Sequence, residues 1–341
     1  MSGIESLPQP RRAYPSVPVL RWGVLGTGWI ATKFCTALAK HTTQQVTAVG
    51  SRTVEGARRF ATAVGAPRWH GSYADLVADP EVDVVYVATP HPFHQADALL
   101  AIEAGRHVLI EKPMGINAEQ ARVVAMAARA AGVFCAEALW SLFTPKFDVI
   151  AQLLADGVLG EISSVQADIG EWFDPGHRIF DPALAGGCML DLATYPVMFS
   201  TWVAGAPETV QAVGGRADSG VMATTSMVFR TTAGVESVLQ ASMAAATPTS
   251  GAIGGSAGLL SIDGPFYQPG GFSLVQRHGP ALHYDEPEIA HEGLFHQAVH
   301  VAGCIGEGRT ESPLRSLDDT ITMLETMDRV RACTGDRFQM E

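Results

Sequence analysis

Two short clusters carry side chains able to move a proton at a carbon–oxygen bond. Glu111-Lys112-Pro113 offers an ammonium, and Asp191 and Tyr195 offer a carboxylate and a phenol four residues apart. On a helix that spacing puts two residues on one face, a turn from each other. A lysine ammonium beside a tyrosine favours phenolate and lowers a phenol pKa that starts near about 10. A phenol tuned this way is a general acid or base, worth about 10²–10⁴ in rate. By itself Lys112 reads as an ordinary loop lysine, so the case needs the elements that bring the clusters together.

A third cluster concerns a cofactor. Gly26-Thr27-Gly28-Trp29-Ile30-Ala31 follows a short apolar run and opens a helical segment. The first glycine permits a sharp turn, the second lets backbone approach a diphosphate, and Ala31 lets helix and strand pack closely. A helix N-terminus adds unsatisfied N–H groups and partial positive charge. The next strand ends Gly50-Ser51-Arg52-Thr53. An NAD site usually carries a carboxylate there for the ribose hydroxyls, whereas an arginine suits a 2′-phosphate. Arg52, with Ser51 and Thr53 as further donors, therefore favours NADP, with NAD the alternative. The bland reading of Arg52 is a solvated surface arginine, and Glu55 is near enough to blur the preference.

These clusters sit on alternating elements. Strands are expected at 19–25, 46–49, 82–88, 107–110 and 133–136, with helices at 29–39, 54–64, 93–104 and from the Asn117 cap to 131. Continuous β-branched runs such as Val82–Ala88 belong to parallel strands covered on both faces. Such alternation predicts an α/β domain, a doubly wound parallel sheet of Rossmann type, over residues 19–139. Ligands of these sheets bind at the carboxyl ends of the strands, where Lys112 falls. Beyond residue 140 the pattern changes to long strand-like runs with interleaved helices. This predicts an α+β domain with a large, mostly antiparallel sheet over 140–341, for substrate binding and oligomerisation. Residues 1–18 read as a disordered leader, and the glycine-rich 251–258 as a tight turn.

Composition narrows the partners. Lys+Arg 23 against Asp+Glu 35 gives a net charge of −12, a poor match for nucleic acid. Five scattered cysteines without a C-x-x-C pair predict neither a disulfide framework nor a zinc site, and fit a reducing cytoplasm. The histidines lack metal-ligand spacing, so no metal is expected. Arg11-Arg12 precede no apolar stretch of the kind an export signal needs, and no run is long enough to span a membrane.

With these motifs in view, the chain resembles the glucose–fructose oxidoreductase, inositol dehydrogenase and MocA (Gfo/Idh/MocA) family from about Leu20 to Phe338. The resemblance is carried by Gly26-x-Gly28-x-x-Ala31, Thr89-Pro90-His91-x-x-His94, Ala104-Gly105 followed by Glu111-Lys112-Pro113, and Gly186-Gly187…Asp191…Tyr195. Tyr195, Glu137-Ala-Leu-Trp140 and Arg178-Ile-Phe-Asp181-Pro182 are similar to its dimeric dihydrodiol dehydrogenase and D-xylose 1-dehydrogenase branch.

The resemblance implies an NADP-using sugar dehydrogenase that exchanges a hydride between nicotinamide C4 and a hydroxyl-bearing or carbonyl carbon. Its substrate would be a sugar, cyclitol or trans-diol. Lys112 and Tyr195 would form the acid/base pair, with Asp191 positioning them. Gly26, Thr27, Gly28, Trp29, Ile30, Ser51, Arg52, Thr89, His91, His94, Glu111 and Lys112 would meet the cofactor. Trp140, Trp172, Phe173, Arg178 and Tyr195 would meet the substrate. Trp140 could equally be a core aromatic, and His94 a residue that only fills a loop hydrogen bond.

A homodimer or homotetramer through the C-terminal sheet is expected. Leu142 stands where the branch often has arginine, so substrate identity is not carried over. Two readings compete: a non-catalytic, NADP-binding, sugar-responsive regulator, and an NAD-dependent glycosidase of the same family.

Overall fold

A computed structural model describes residues 3–11 and 17–340. The chain divides into two compact units: residues 17–143 with 290–321, and residues 3–11 with 144–289 and 322–340.

The first unit opens with β1 (Arg21–Leu25), α1 (Trp29–His41), β2 (Gln45–Gly50), α2 (Val54–Val64), β3 (Arg68–His70) and α3 (Tyr73–Val77). It continues with β4 (Val84–Val87), α4 (His94–Glu103), β5 (His107–Glu111), α5 (Ala118–Ala131) and β6 (Cys135–Ala138). All strand pairs are parallel in the order β3-β2-β1-β4-β5-β6. That is the doubly wound Rossmann order, whose chain reversal falls between β1 and β4. The apolar runs explain it: β4 is buried along its whole length. Ends are set by local chemistry. Thr53, Ser72 and Asn117 accept N–H bonds as N-caps, while Gly65 and Gly132 close α2 and α5 in the left-handed region.

The second unit contains α6 (Pro145–Ala155), β7 (Ile162–Gly170), α7 (Thr194–Ala204), β8 (Thr209–Arg216), β9 (Met222–Arg230) and β10 (Glu236–Ser242). Four more strands follow: β11 (Gly251–Gly255), β12 (Gly258–Ile262), β13 (Phe272–Gln276) and β14 (Leu282–Tyr284). They form one sheet in the order β14-β13-β12-β11-β7-β10-β9-β8, antiparallel except between β7 and β10. One face is covered by α7, which packs on β7 and β10. The other leaves Val213, Val228 and Val238 exposed at 72, 47 and 56 %. Of the last helices, α8 (Phe295–Gly306) belongs to the first unit and α9 (Leu317–Thr334) runs from the first unit into the second. No helix among the described residues is long and apolar enough to cross a membrane.

The structure differs from expectation in three places. Residues 3–11, expected to be disordered, are tied to the second unit. Ile4 exchanges two bonds with Gln276, Gln152 donates to the Gln9 carbonyl, and the Arg11 amide donates to Asp148. The rest of the leader at 12–16, including Arg12, lies outside the described residues. The division is also not a single cut at 139/140, because residues 290–321 return to the first unit. Finally, the glycine run at 251–255 is a strand rather than a turn. A Cβ on Gly255 would lie 2.2 Å from the Leu159 carbonyl oxygen, so glycine permits a close approach of two backbones.

Candidate active site

The cofactor turn is built by exclusion of side chains. Gly26 has φ +96°, and a Cβ there would lie 2.6 Å from the Ala88 oxygen, so only glycine is tolerated. Its N–H donates to the Gly50 oxygen. Gly28 is the N-cap of α1, provides no side-chain cap, and has open space where its Cβ would be. Ala31 is fully buried. The first turn of α1, with Trp29 and Ile30 after Thr27, contains no acidic residue and no side-chain cap, so no side chain of its own turn neutralises the partial positive charge of its N–H groups. These features suit a diphosphate. At the end of β2, Arg52 is exposed and has no ion-pair partner among the described residues. Thr53 is committed as the α2 cap, accepting from the Gly56 amide at 3.1 Å.

Strand order places the ends of β1, β4 and β5 side by side. After β4, the Thr89 hydroxyl donates to Asp97 at 2.7 Å, and His91 is buried in a short 3₁₀ turn. His94 is wholly buried, with both ring nitrogens 2.7 Å from the carbonyls of Pro113 and Thr89. Its polar atoms are used inside the fold, so it pins the β4 and β5 loops to each other. Of the two readings of His94 in the sequence, the hydrogen bonds match the loop-filling one. Glu111 is likewise internal. Tyr86 donates to one carboxylate oxygen and the Lys112 amide to the other, while burial pushes its pKa up. The neighbouring Met114 amide donates to Glu137 at 2.9 Å. With the turn held on both sides, half-buried Lys112 is presented at the strand edge.

Trp140 is 2 % exposed and begins a 3₁₀ turn in the same unit. It stacks on His291 at 5.5 Å between centroids, and His291 is also T-shaped to Trp29 at 4.7 Å.

The second unit holds the other cluster. Asp191 lies in a π-helical turn, Met189–Ala193, that runs into α7, where Tyr195 sits in the first turn. Pro196 has no N–H to give the Leu192 carbonyl, which helps explain the widened turn. Asp191 and Tyr195 are therefore not related by one regular α-helical turn. Arg178 closes on Asp191 with bonds of 3.2 and 2.6 Å. Tyr195 is buried and stacks on Tyr267 at 4.2 Å with 20° between planes. Tyr267 is held by its own hydroxyl, which donates to Glu171 at 3.1 Å and accepts from Gln268 at 3.2 Å. Burial, reinforced by the Glu171 charge, raises its pKa. Phe173 packs against its neighbour His177 at 4.9 Å, and Trp172 stands 78 % exposed.

Sequence reasoning missed His291, Tyr267 and Glu171. Tyr267 lies in an irregular segment between strands, and His291 belongs to a stretch that returns to the first unit. Neither has a periodic or motif signal to mark it.

Comparison with known proteins identifies the family. The family model described as "Oxidoreductase family, NAD-binding Rossmann fold" matches residues 20–139, and the "GFO/IDH/MocA C-terminal domain" matches 147–261. The chain is 34 % identical to trans-1,2-dihydrobenzene-1,2-diol dehydrogenase of Bos taurus, covering 94 % of this chain and 99 % of the relative. It is 31 % identical to the Homo sapiens protein of that name, over the same shares of each. Among solved structures it is similar to the 3-ketoreductase KijD10 of Actinomadura kijaniata, in complex with NADP and TDP-benzene. That match has a TM-score of 0.83 and 28 % identity, covering 93 % of this chain and 98 % of the other. The chain therefore belongs to the GFO/IDH/MocA family of oxidoreductases, is a dehydrogenase or reductase, and uses its N-terminal unit as an NAD(P)-binding Rossmann domain.

Proposed function

We propose that the protein is an NADP-dependent oxidoreductase of a sugar, cyclitol or trans-diol, with Lys112 and Tyr195 as its acid/base pair. The observation that carries this reading is the locked turn at the end of β5. Glu111, Glu137 and His94 hold it from within the fold, and Lys112 follows directly at the carboxyl end of β5, the edge of the sheet where ligands of this fold bind. Relatives named for a trans-diol and a ketoreductase solved with NADP support the substrate class and the cofactor.

When bound, the nicotinamide accepts or supplies the hydride at C4. Everything else falls to this chain. In oxidation the Tyr195 phenolate takes the hydroxyl proton of the substrate. The Lys112 ammonium binds the same oxygen, stabilises charge as it develops, and favours the phenolate. In reduction the phenol returns the proton. Asp191, braced by Arg178, positions the pair. Arg52 pairs with the 2′-phosphate. Trp140 walls the substrate pocket.

The direct test is absorbance at 340 nm with NADP and NAD over pentoses, hexoses, inositols, anhydrosugars and diols. Turnover with net cofactor change supports the reading. Sugar release without net change would replace it by the glycosidase chemistry, and binding without turnover by a regulator.

The assembly we assign is a homodimer or homotetramer through the open face of the eight-stranded sheet. Its exposed Val213, Val228 and Val238 form an apolar surface suited to a second copy. Sedimentation of wild type and Val238→Glu tests this, with loss of the larger species expected. Five free cysteines are compatible with a reducing cytoplasm.

A further inference from the structure

We propose that His291 is a cofactor-binding residue, lying over the bound dinucleotide between the diphosphate turn and the wall of the substrate pocket. This inference rests on the family's Rossmann site and deepens it. Trp29 is the first residue of α1, directly after the open Gly28 position, and remains 60 % exposed despite its size. His291 lies between the two tryptophans, T-shaped to Trp29 and stacked on Trp140. One imidazole thus spans from the turn that receives the diphosphate to the residue that begins the pocket wall.

The segment carrying His291 is fixed in place. The adjacent Glu292 receives Lys40 at 2.7 Å and His41 at 2.9 Å from the end of α1. On its other side, Ala290 holds φ +45°, a left-handed conformation that a residue with a Cβ adopts only against a steric penalty. Among the described residues the ring nitrogens of His291 have no hydrogen-bond partner, though the ring is half-buried. Burial, with the Lys33 and Lys112 ammonium groups, lowers its pKa to about 4. The ring is therefore neutral near pH 7, with one N–H to give a ribose or diphosphate oxygen and no added charge beside Lys112.

Equilibrium titration of NADPH and NADH, followed by quenching of tryptophan fluorescence, tests the assignment without turnover. His291→Ala is expected to weaken both cofactors at least tenfold. His291→Phe, which keeps a ring between the tryptophans but no N–H, is expected to weaken both at least fivefold. Thermal melts of the apo variants within a few degrees of wild type exclude misfolding as the cause. Wild-type affinity in both variants, or in His291→Phe alone, would overturn the proposal. Arg52→Ala is run alongside, because it should affect NADPH selectively. Losing that selectivity while keeping the His291 effect overturns NADP preference and leaves this inference intact.

Discussion

Arg178 grips Asp191 through both terminal guanidinium nitrogens, from an exposed 3₁₀ turn onto a carboxylate only 9 % exposed. The arginine expected to touch substrate also braces the acid four residues before Tyr195. Asp191 lies in the π turn and needs a partner to remain charged when buried.

Arg178→Met is expected to lower stability by about 1–3 kcal/mol, since hydrogen bonds to charged groups carry that weight. Asp191→Asn should cost less in that background than alone. Urea melts of the two single variants and the double variant measure the coupling, and strictly additive losses would refute the pairing.

Tyr195→Phe and Lys112→Met are each expected to leave NADPH affinity within about twofold and to reduce turnover by at least about 10². The check is to measure kcat and cofactor affinity separately for each. Near-normal turnover in either variant would remove that residue from the acid/base pair.

Arg52→Ala should weaken NADP by ten times or more while leaving NAD almost unchanged, because only the former brings a 2′-phosphate to the end of β2. Calorimetric titration with each cofactor decides it. Equal losses would return Arg52 to the role of a solvated surface residue.

Acid should weaken the first unit through Asp79. Burial acts to raise its pKa, but bonds from Arg68, the Glu81 amide and His70 prevail and hold it at about 2, below the ordinary 3.8. A carboxylate lowered in the fold stabilises it above the unfolded value, and that contribution fades as pH falls from about 4 towards 2. Melting temperatures over that range should fall more steeply in wild type than in Asp79→Asn. Parallel curves would show that another group governs acid sensitivity.

Much of the first unit was legible because its physics is local. Val82–Ala88 could only be a doubly covered strand, and the Asn117 cap with Gly132 bounded α5 within a residue. β3 and α3 escaped notice: Arg68–His70 has no apolar run, and Tyr73–Val77 is barely one helical turn. The π turn escaped because its cause, Pro196, acts on hydrogen bonds rather than on the hydrophobic period.

Turn geometry was legible where a motif demanded it, as at Gly26 and Gly28. Side-chain roles were not legible where they depend on distant partners. Nothing near Glu111 or His94 in the chain says that Tyr86 and Pro113 will absorb their polar atoms. Tyr267 reaches the face of Tyr195 from 72 positions later in the chain.

The return of residues 290–321 to the first unit has a consequence for how the chain is made. Glu137 is wholly buried, and the guanidinium facing it belongs to Arg315, 178 positions later, with Thr320 donating to the same oxygen. During synthesis that carboxylate waits roughly 10–35 s for its counter-ion at ordinary elongation rates. A ribosome-bound fragment ending near residue 143 should thus stay loose and open to proteases, tightening only once translation passes the last of those partners.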